Sequence, residues 1–258
     1  MSTVLHSNLI HHHSKFLHKD SQLILQHDTV LCLSNNPIKY VTSIHQVPLQ
    51  EIHQIQYAED ATLVRLYHDN IQWIVSTRNT IDAKESHFAS SKSFDTLFWD
   101  IWSTHNFSLL SLDNSSTYFF LLIHPSHQHV LKHSHKKLIL VDVLSQKPSS
   151  YIHEYHFHSP EVTTLEDYTD RTDKRGLLFL SSDTKYLLDF THFKELKSLR
   201  GHTPSLLYRF LQLYKQPSRQ AKFVKAFPHH SYQTAHQILI TKLNPKHHSP
   251  RHLLNLLS

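Results

Sequence analysis

Two groups of side chains in this sequence have the types and spacing to do chemistry: the histidines, and a cluster of cations near one end. Histidine fills 27 of 258 positions, grouped at His11 to His13, His124 to His135, His153 to His158, and the pairs His229-His230 and His247-His248. Neutral imidazole is the commonest metal ligand, so a zinc-type site is the first chemistry to test. Three features oppose it. Histidines in a run cannot all face one ion, and no group shows His-x-x-x-His spacing beside a carboxylate. Cys32 is the only cysteine, which excludes a cysteine-pair zinc site and an internal disulfide. Histidine also recurs at turns and polar faces throughout, as compositional drift would place it. The sequence therefore predicts no metal site. No Ser-His-Asp or Cys-His nucleophile can be argued either, because with so many histidines any match arises by chance.

The cations are unevenly placed. Residues 185–258 hold twelve Lys or Arg against Asp189 and Glu195, a net of +10, and the chain total of +5 leaves −5 for residues 1–184. A basic end on a mildly acidic body suits RNA or another polyanion, because clustered cations gain from phosphate neutralisation and counterion release. A solvated helical surface that happens to be basic accounts for the charge equally well.

The elements that must position these groups are strand-rich first and helical later. Only Gly176 and Gly201 occur, so turns must be built from Asn, Asp, Ser, His and Pro. Thr62–Tyr67 and Ile71–Thr77 flank His68-Asp69-Asn70 as a hairpin, and strands follow at Tyr118–Ile123, Val130–Lys132, Leu138–Val143, Leu177–Leu180 and Lys185–Phe190. Between them, Ser93–Ser103 places Phe94, Leu97, Phe98, Ile101 and Trp102 on one helical face. Beyond Asp189, Thr191 can cap a helix through Leu199, and Thr203-Pro204 can start another. Further helices are expected at Ser218–Ala226 and Tyr232–Leu243, and Asn244–His252 as a loop. The class is α+β. The longest apolar run, Tyr118 to Ile123, is far too short to span a bilayer, and the first residues lack a signal-peptide pattern. These features predict a soluble intracellular protein, with no membrane partner.

Residues 58–78 begin Ala58-Glu59-Asp60-Ala61 and run through the hairpin to Ser76-Thr77-Arg78. Ser91-Lys92-Ser93-Phe94 opens the helix, and Thr117 to Pro125 forms an apolar strand. Arg175-Gly176 precedes Leu177-Leu178-Phe179, and Lys185 to Phe190 makes a late strand. Leu199-Arg200-Gly201-His202-Thr203-Pro204 then leads into the helical end. In this order the pieces resemble the covalent nucleotidyltransferase superfamily: phage-type ATP-dependent RNA ligases, capping enzymes and degenerate relatives in large DNA viruses. The likeness spans about residues 20 to 225. It implies an antiparallel-sheet, ATP-grasp-like core over residues 1–190 and a small basic helical region over 191–258. It also implies the cytoplasm as location, that of an infected host cell if the chain is viral.

In that superfamily a lysine amine attacks the α-phosphate of ATP or GTP, giving a covalent adduct. Carboxylates of a Phe-Glu and a Glu-Gly strand hold ribose or Mg²⁺, and late lysines contact the α-phosphate. Here the nucleophile position is Ala58, the glycine after it Ala61, the carboxylates Leu121 and Arg175, and one late lysine Leu187. Lys185 stands two residues away on the same strand face. The resemblance thus implies no catalytic residue. It makes Asp60, Arg78 and Lys185 nucleotide-binding candidates, and Lys197, Arg200 and Arg209 RNA-binding candidates. It points to a ligase-like protein whose catalysis is lost, kept for nucleotide or RNA binding. Two alternatives stay open. One is an active ATP-dependent RNA ligase using ATP, Mg²⁺ and a displaced lysine, Lys84 or Lys92. The other is a structural or interaction protein with an empty cleft. Taken alone, Arg78 reads as a surface residue, Asp60 as a turn cap, and Arg200 as a cation at a helix C-terminus.

Overall fold

The computed structural model describes residues 9–12, 15–18, 23–26, 29–34, 37–105, 107–127, 129–145, 157–229 and 231–235. The chain divides into two compact units, Met1–Phe190 and Thr191–Ser258.

The first unit opens with β1 (Leu9–His12), β2 (Lys15–His18), β3 (Leu23–Gln26) and β4 (Thr29–Cys32), an antiparallel meander. Then come β5 (Ile38–Val41), β6 (Gln54–Ala58), β7 (Thr62–His68), β8 (Trp73–Thr77) and helix α1 (Phe94–Thr104). The unit ends with β9 (Ser116–Ile123), β10 (Lys137–Ser145), β11 (Val162–Thr163), β12 (Gly176–Leu180) and β13 (Lys185–Asp189). One further sheet has the order β10-β9-β7-β8, another β11-β6-β12-β13-β5. Among the described strands pairing is antiparallel, as expected of the core, with β13 and β5 running parallel at one edge.

Helix α1 forms as its apolar spacing predicts. Ser93 caps it, its Oγ accepting the Thr96 amide at 3.2 Å, and Phe94, Leu97, Phe98, Ile101 and Trp102 are all buried. That face packs on Val64, Leu66, Phe120, Leu122 and Leu138. The other side of β7 and β8 carries Tyr67 and Ile74, which join Leu17, Ile24, Leu31 and Cys32 of the meander in a second core. Burial pushes the Cys32 thiol up, although Arg65 opposes the shift.

Three expected elements differ. Ile71 is no strand residue but sits 87% exposed in the β7–β8 turn, because Asp69 Oδ1 accepts the amides of Ile71 and Gln72 at 3.0 and 2.8 Å. Asn70 takes the left-handed φ of 72° that glycine would otherwise supply. Val130–Lys132 is a loop, since the amides of Val130 and Leu131 go to Asp60 Oδ2 at 2.8 and 2.7 Å instead of to a ladder. The helix expected from Thr203-Pro204 starts later.

Strand β10 changes face once. Leu138 and Leu140 pack toward α1, but the register with β9 slips between Leu140 and Asp142. This bulge at Val141 lets Val143 pack toward α1 too, so Asp142 points the opposite way. In the five-stranded sheet, Gly176 lies between Ala58 and Asp189. A Cβ there would meet the Leu188 carbonyl oxygen at 2.0 Å, so the strand crossing admits no side chain.

The second unit contains α2 (Thr191–Arg200), α3 (Leu206–Gln212) and α4 (Pro217–Ala226), and residues 231–235 are helical. The rest of the expected Tyr232–Leu243 helix and the Asn244–His252 loop lie outside the described residues. Its buried side chains include Phe193, Phe210, Leu211, Phe223 and Tyr232, with the Phe210 and Tyr232 rings stacked at 4.7 Å. Gly201 closes α2 at φ 65°, its amide donating to the Lys197 carbonyl at 2.9 Å. Arg200 donates to the Thr203 and Pro204 carbonyls, which holds this stretch out of helical conformation. The cap of α3 is therefore Ser205, whose Oγ accepts the Tyr208 amide at 3.1 Å. Among the described residues no helix is long and apolar enough to cross a membrane.

Candidate functional site

Strand alternation creates a cavity of about 310 Å³ between two sheets of the first unit. On β7, β9 and β10, residues Leu63, Leu121 and Ile139 stand in one cross-strand row and line it. On the five-stranded sheet, Gln56, Leu178, Leu187 and Tyr40 form another such row. The alternate residues Tyr57, Leu177, Phe179 and Leu188 turn to the sheet's other face, where Phe190 and Val47 complete a third core. The cavity floor is thus mainly leucine. Its volume is at the lower end of small-molecule pockets, roughly 300–1,000 Å³.

Every position at which the chain departs from the ligase pattern lines this one cavity: Ala58, Ala61, Leu121, Arg175 and Leu187. Arg78 and Lys185 line it as well. Arg78 is exposed at the end of β8. Buried Arg65 secures that end by donating to Ser76 Oγ at 3.1 Å and the Thr77 carbonyl at 2.6 Å. Lys185 Nζ lies 3.2 Å from Asp142 Oδ2, the carboxylate that the β10 bulge turns this way. Arg175 Nε lies 2.7 Å from Asp189 Oδ1, and its guanidinium stands 5.6 Å from the Tyr40 ring centre. Burial opposes the Arg175 charge, but the Asp189 carboxylate outweighs it and holds that arginine above its ordinary range. Glu59, on the wall, is held by Lys174, which also reaches Glu161 at 3.2 Å. Burial works against the Lys174 amine too, and the two glutamates overcome it. Arg175 and Lys185 therefore arrive at the cavity with carboxylates of their own.

Asp60 does not line the cavity. It is buried, and its carboxylate closes the loop at Val130 and Leu131, while its carbonyl meets His133 Nε2 at 2.8 Å. Lys84 and Lys92 are exposed and do not line the cavity either, and Lys84 is 3.3 Å from Asp82. In the second unit, Arg200 is 2% exposed and spends its guanidinium on the carbonyls after α2. Arg209 donates to the Leu199 and Ser198 carbonyls at 2.7 and 2.9 Å, closing the C-terminus of α2. Burial, then the charge of Arg219, lowers the Arg209 pKa. Lys197 Nζ lies 5.8 Å from the Phe193 ring centre, one helical turn back. Sequence reasoning missed Tyr40, Glu59 and Asp142. Alternation along β10 puts Asp142 on the α1 side, and only the bulge reverses that. Among the described residues no group of three His, Cys, Asp or Glu side chains is arranged to hold a metal.

This arrangement of sheets is the nucleotidyltransferase fold of ATP-dependent ligases. A putative ATP-dependent DNA ligase from Aquifex aeolicus matches with a TM-score of 0.56 and 9% identity, over 90% of this chain and 77% of that one. An archaeal ATP-dependent RNA ligase gives a TM-score of 0.46 and 11% identity, over 86% of this chain and 68% of that one. No protein-family model and no curated protein matches the sequence.

Proposed function

We propose that this ligase-fold chain binds a nucleotide or an RNA end in the cavity between its sheets without forming a covalent lysine–nucleotide bond. The observation that carries the reading is convergence. Five positions taken from the sequence pattern, Ala58, Ala61, Leu121, Arg175 and Leu187, face one space, and none supplies an amine or a carboxylate. Ala58, 8% exposed at the end of β6, has no nucleophile to offer. Mg²⁺ prefers several oxygen ligands in octahedral array. Among the described lining residues the one carboxylate is Glu59, already engaged by Lys174, so the residues present do not fit the ion. Binding is therefore metal-independent, with Arg78 receiving a phosphate at the exposed rim and the apolar floor receiving the base.

The test is incubation with α-labelled ATP or GTP and Mg²⁺, followed by denaturing electrophoresis. No labelled band is expected. The Ala58→Lys variant is expected to stay unlabelled too, because Leu121 and Arg175 still deny the metal its ligands. Binding of a fluorescent ATP analogue, equal with Mg²⁺ or with EDTA, completes the expected result. A labelled wild-type band would overturn the reading and favour the displaced-lysine alternative. The amine to examine would then be Lys185, which lines the cavity, not Lys84 or Lys92.

A further inference from the structure

We infer that helix α4 is a docking stripe for the phosphate backbone of a single-stranded polynucleotide, carried by Arg219, Lys222 and Lys225. The inference rests on the reading of the chain as an RNA-binding protein but assigns the contact to residues outside the cavity. Arg200 is buried and Arg209 half-buried, both against backbone carbonyls of their own unit, so the phosphate-contacting role passes to exposed cations. On α4, Arg219, Lys222 and Lys225 recur every third residue, and all three are exposed. Phe223, next to Lys222, is fully buried, which turns the stripe outward.

At 1.5 Å rise per residue the stripe is about 9 Å long, enough to follow successive phosphates of a flexible strand. Arg219 is aimed by its own bonds, donating to Gln216 Oε1 at 3.0 Å and to the Ser198 carbonyl at 3.2 Å. Its charge is also felt at Arg209. No carboxylate occurs on α4, and Glu195 is the only one in residues 191–235. Cations three residues apart on a helix repel one another. A helix that served only to cover Phe223 would gain from acidic residues among them. The stripe is relieved by an incoming polyanion, which releases counterions as it binds. Lysine and arginine tips at this spacing touch backbone phosphates and carry no base-reading geometry, so binding is independent of sequence.

The experiment uses the full chain and fluorescein-labelled oligouridine and oligodeoxythymidine, titrated by anisotropy from low to moderate salt. Wild type is expected to bind both with a negative log–log salt slope. Lys222→Glu/Lys225→Glu, and the milder Lys222→Ala/Lys225→Ala, are expected to flatten that slope by about 1.4, from about 0.7 per lost single-strand contact. Lys84→Glu, an exposed charge reversal in the first unit, should leave it unchanged. Circular dichroism confirms that the variants fold. An unchanged slope in folded double variants would overturn the inference, as would competition by polyglutamate as strong as by unlabelled RNA. The fluorescent ATP analogue distinguishes the two readings. Its binding survives the α4 variants if the cavity and the stripe act separately. If it fails in wild type while the salt slope still responds to α4, the cavity reading falls and the stripe stands.

Discussion

Acid should unlock the loop that follows β9, through His127. This ring is 2% exposed. Its Nδ1 donates to the Phe88 carbonyl at 2.6 Å, and its Nε2 lies 2.7 Å from Thr62 Oγ1 and 2.9 Å from His129 Nε2. Burial, followed by the neighbouring His129, lowers its pKa to about 4. An unfolded histidine titrates near 6.5. Because the folded value is the lower one, the contribution is fully present above pH 6.5. It is lost progressively as pH falls toward 4, where the unfolded chain takes up a proton that the folded chain refuses. At pH 5 the loss from this group amounts to about 2 kcal/mol, rising to about 3 kcal/mol below pH 4. The assay is urea unfolding at pH 7.5 and pH 5.0, followed by tryptophan fluorescence. Trp73, Trp99 and Trp102 all lie in the Met1–Phe190 unit, so the signal reports that unit. His127→Gln should cost roughly 1–2 kcal/mol at pH 7.5 through lost packing and hydrogen bonds. It should then lose about 2 kcal/mol less than wild type on acidification, since glutamine takes no proton. Parallel losses in the two proteins, within about 0.5 kcal/mol, would refute the reasoning.

Three other outcomes are expected. Gly176→Ala forces a methyl group onto the Leu188 carbonyl and should cost roughly 3 kcal/mol or more, read as thermal unfolding or loss of soluble expression; normal stability would mean the strands do not approach so closely. Lys185→Met leaves Asp142 without its partner and should cost about 1–2 kcal/mol, whereas adding Asp142→Asn should recover most of it. Strict additivity in that double-mutant cycle would disprove the coupling. The sequence holds 27 histidines, and an ordinary imidazole titrates near 6.5, so retention on heparin should rise between pH 7.5 and 6.0, though His127 and His158, both lowered chiefly by burial, contribute little. Constant elution salt would contradict this.

Much of the frame was legible because it obeys simple periods. The α1 face from Phe94 to Trp102, the β12–β13 pair and the core strand β9 follow from apolar spacing alone. What escaped has a common cause: polar side chains took backbone groups that regular structure would have used. Asp69 holds the Ile71 and Gln72 amides, Asp60 holds those of Val130 and Leu131, and Arg200 holds the Thr203 and Pro204 carbonyls. The meander β1–β4 is built from strands of four residues, too short for alternation to stand out. For the cavity, the resemblance located Ala58, Leu121, Arg175 and Leu187 together. Charge pairing was invisible, because Asp142 reaches Lys185 only across a register slip and Asp189 reaches Arg175 only across the sheet.

That slip at Val141 separates the order of residues along β10 from the face each one takes. Strand β10 carries one phase before the bulge and the opposite phase after it, so the extra residue keeps Asp142 beside Lys185. Deleting Val141 would straighten the strand and change no face: Asp142 would follow Leu140 directly, still opposite Phe119, and Val143 would still turn toward α1. Smoothing the slip without a deletion would do the reverse, turning Asp142 toward the aromatic core and taking that carboxylate from the Lys185 amine. Among homologues of this chain, a one-residue gap at this point would therefore be silent for what the cavity attracts.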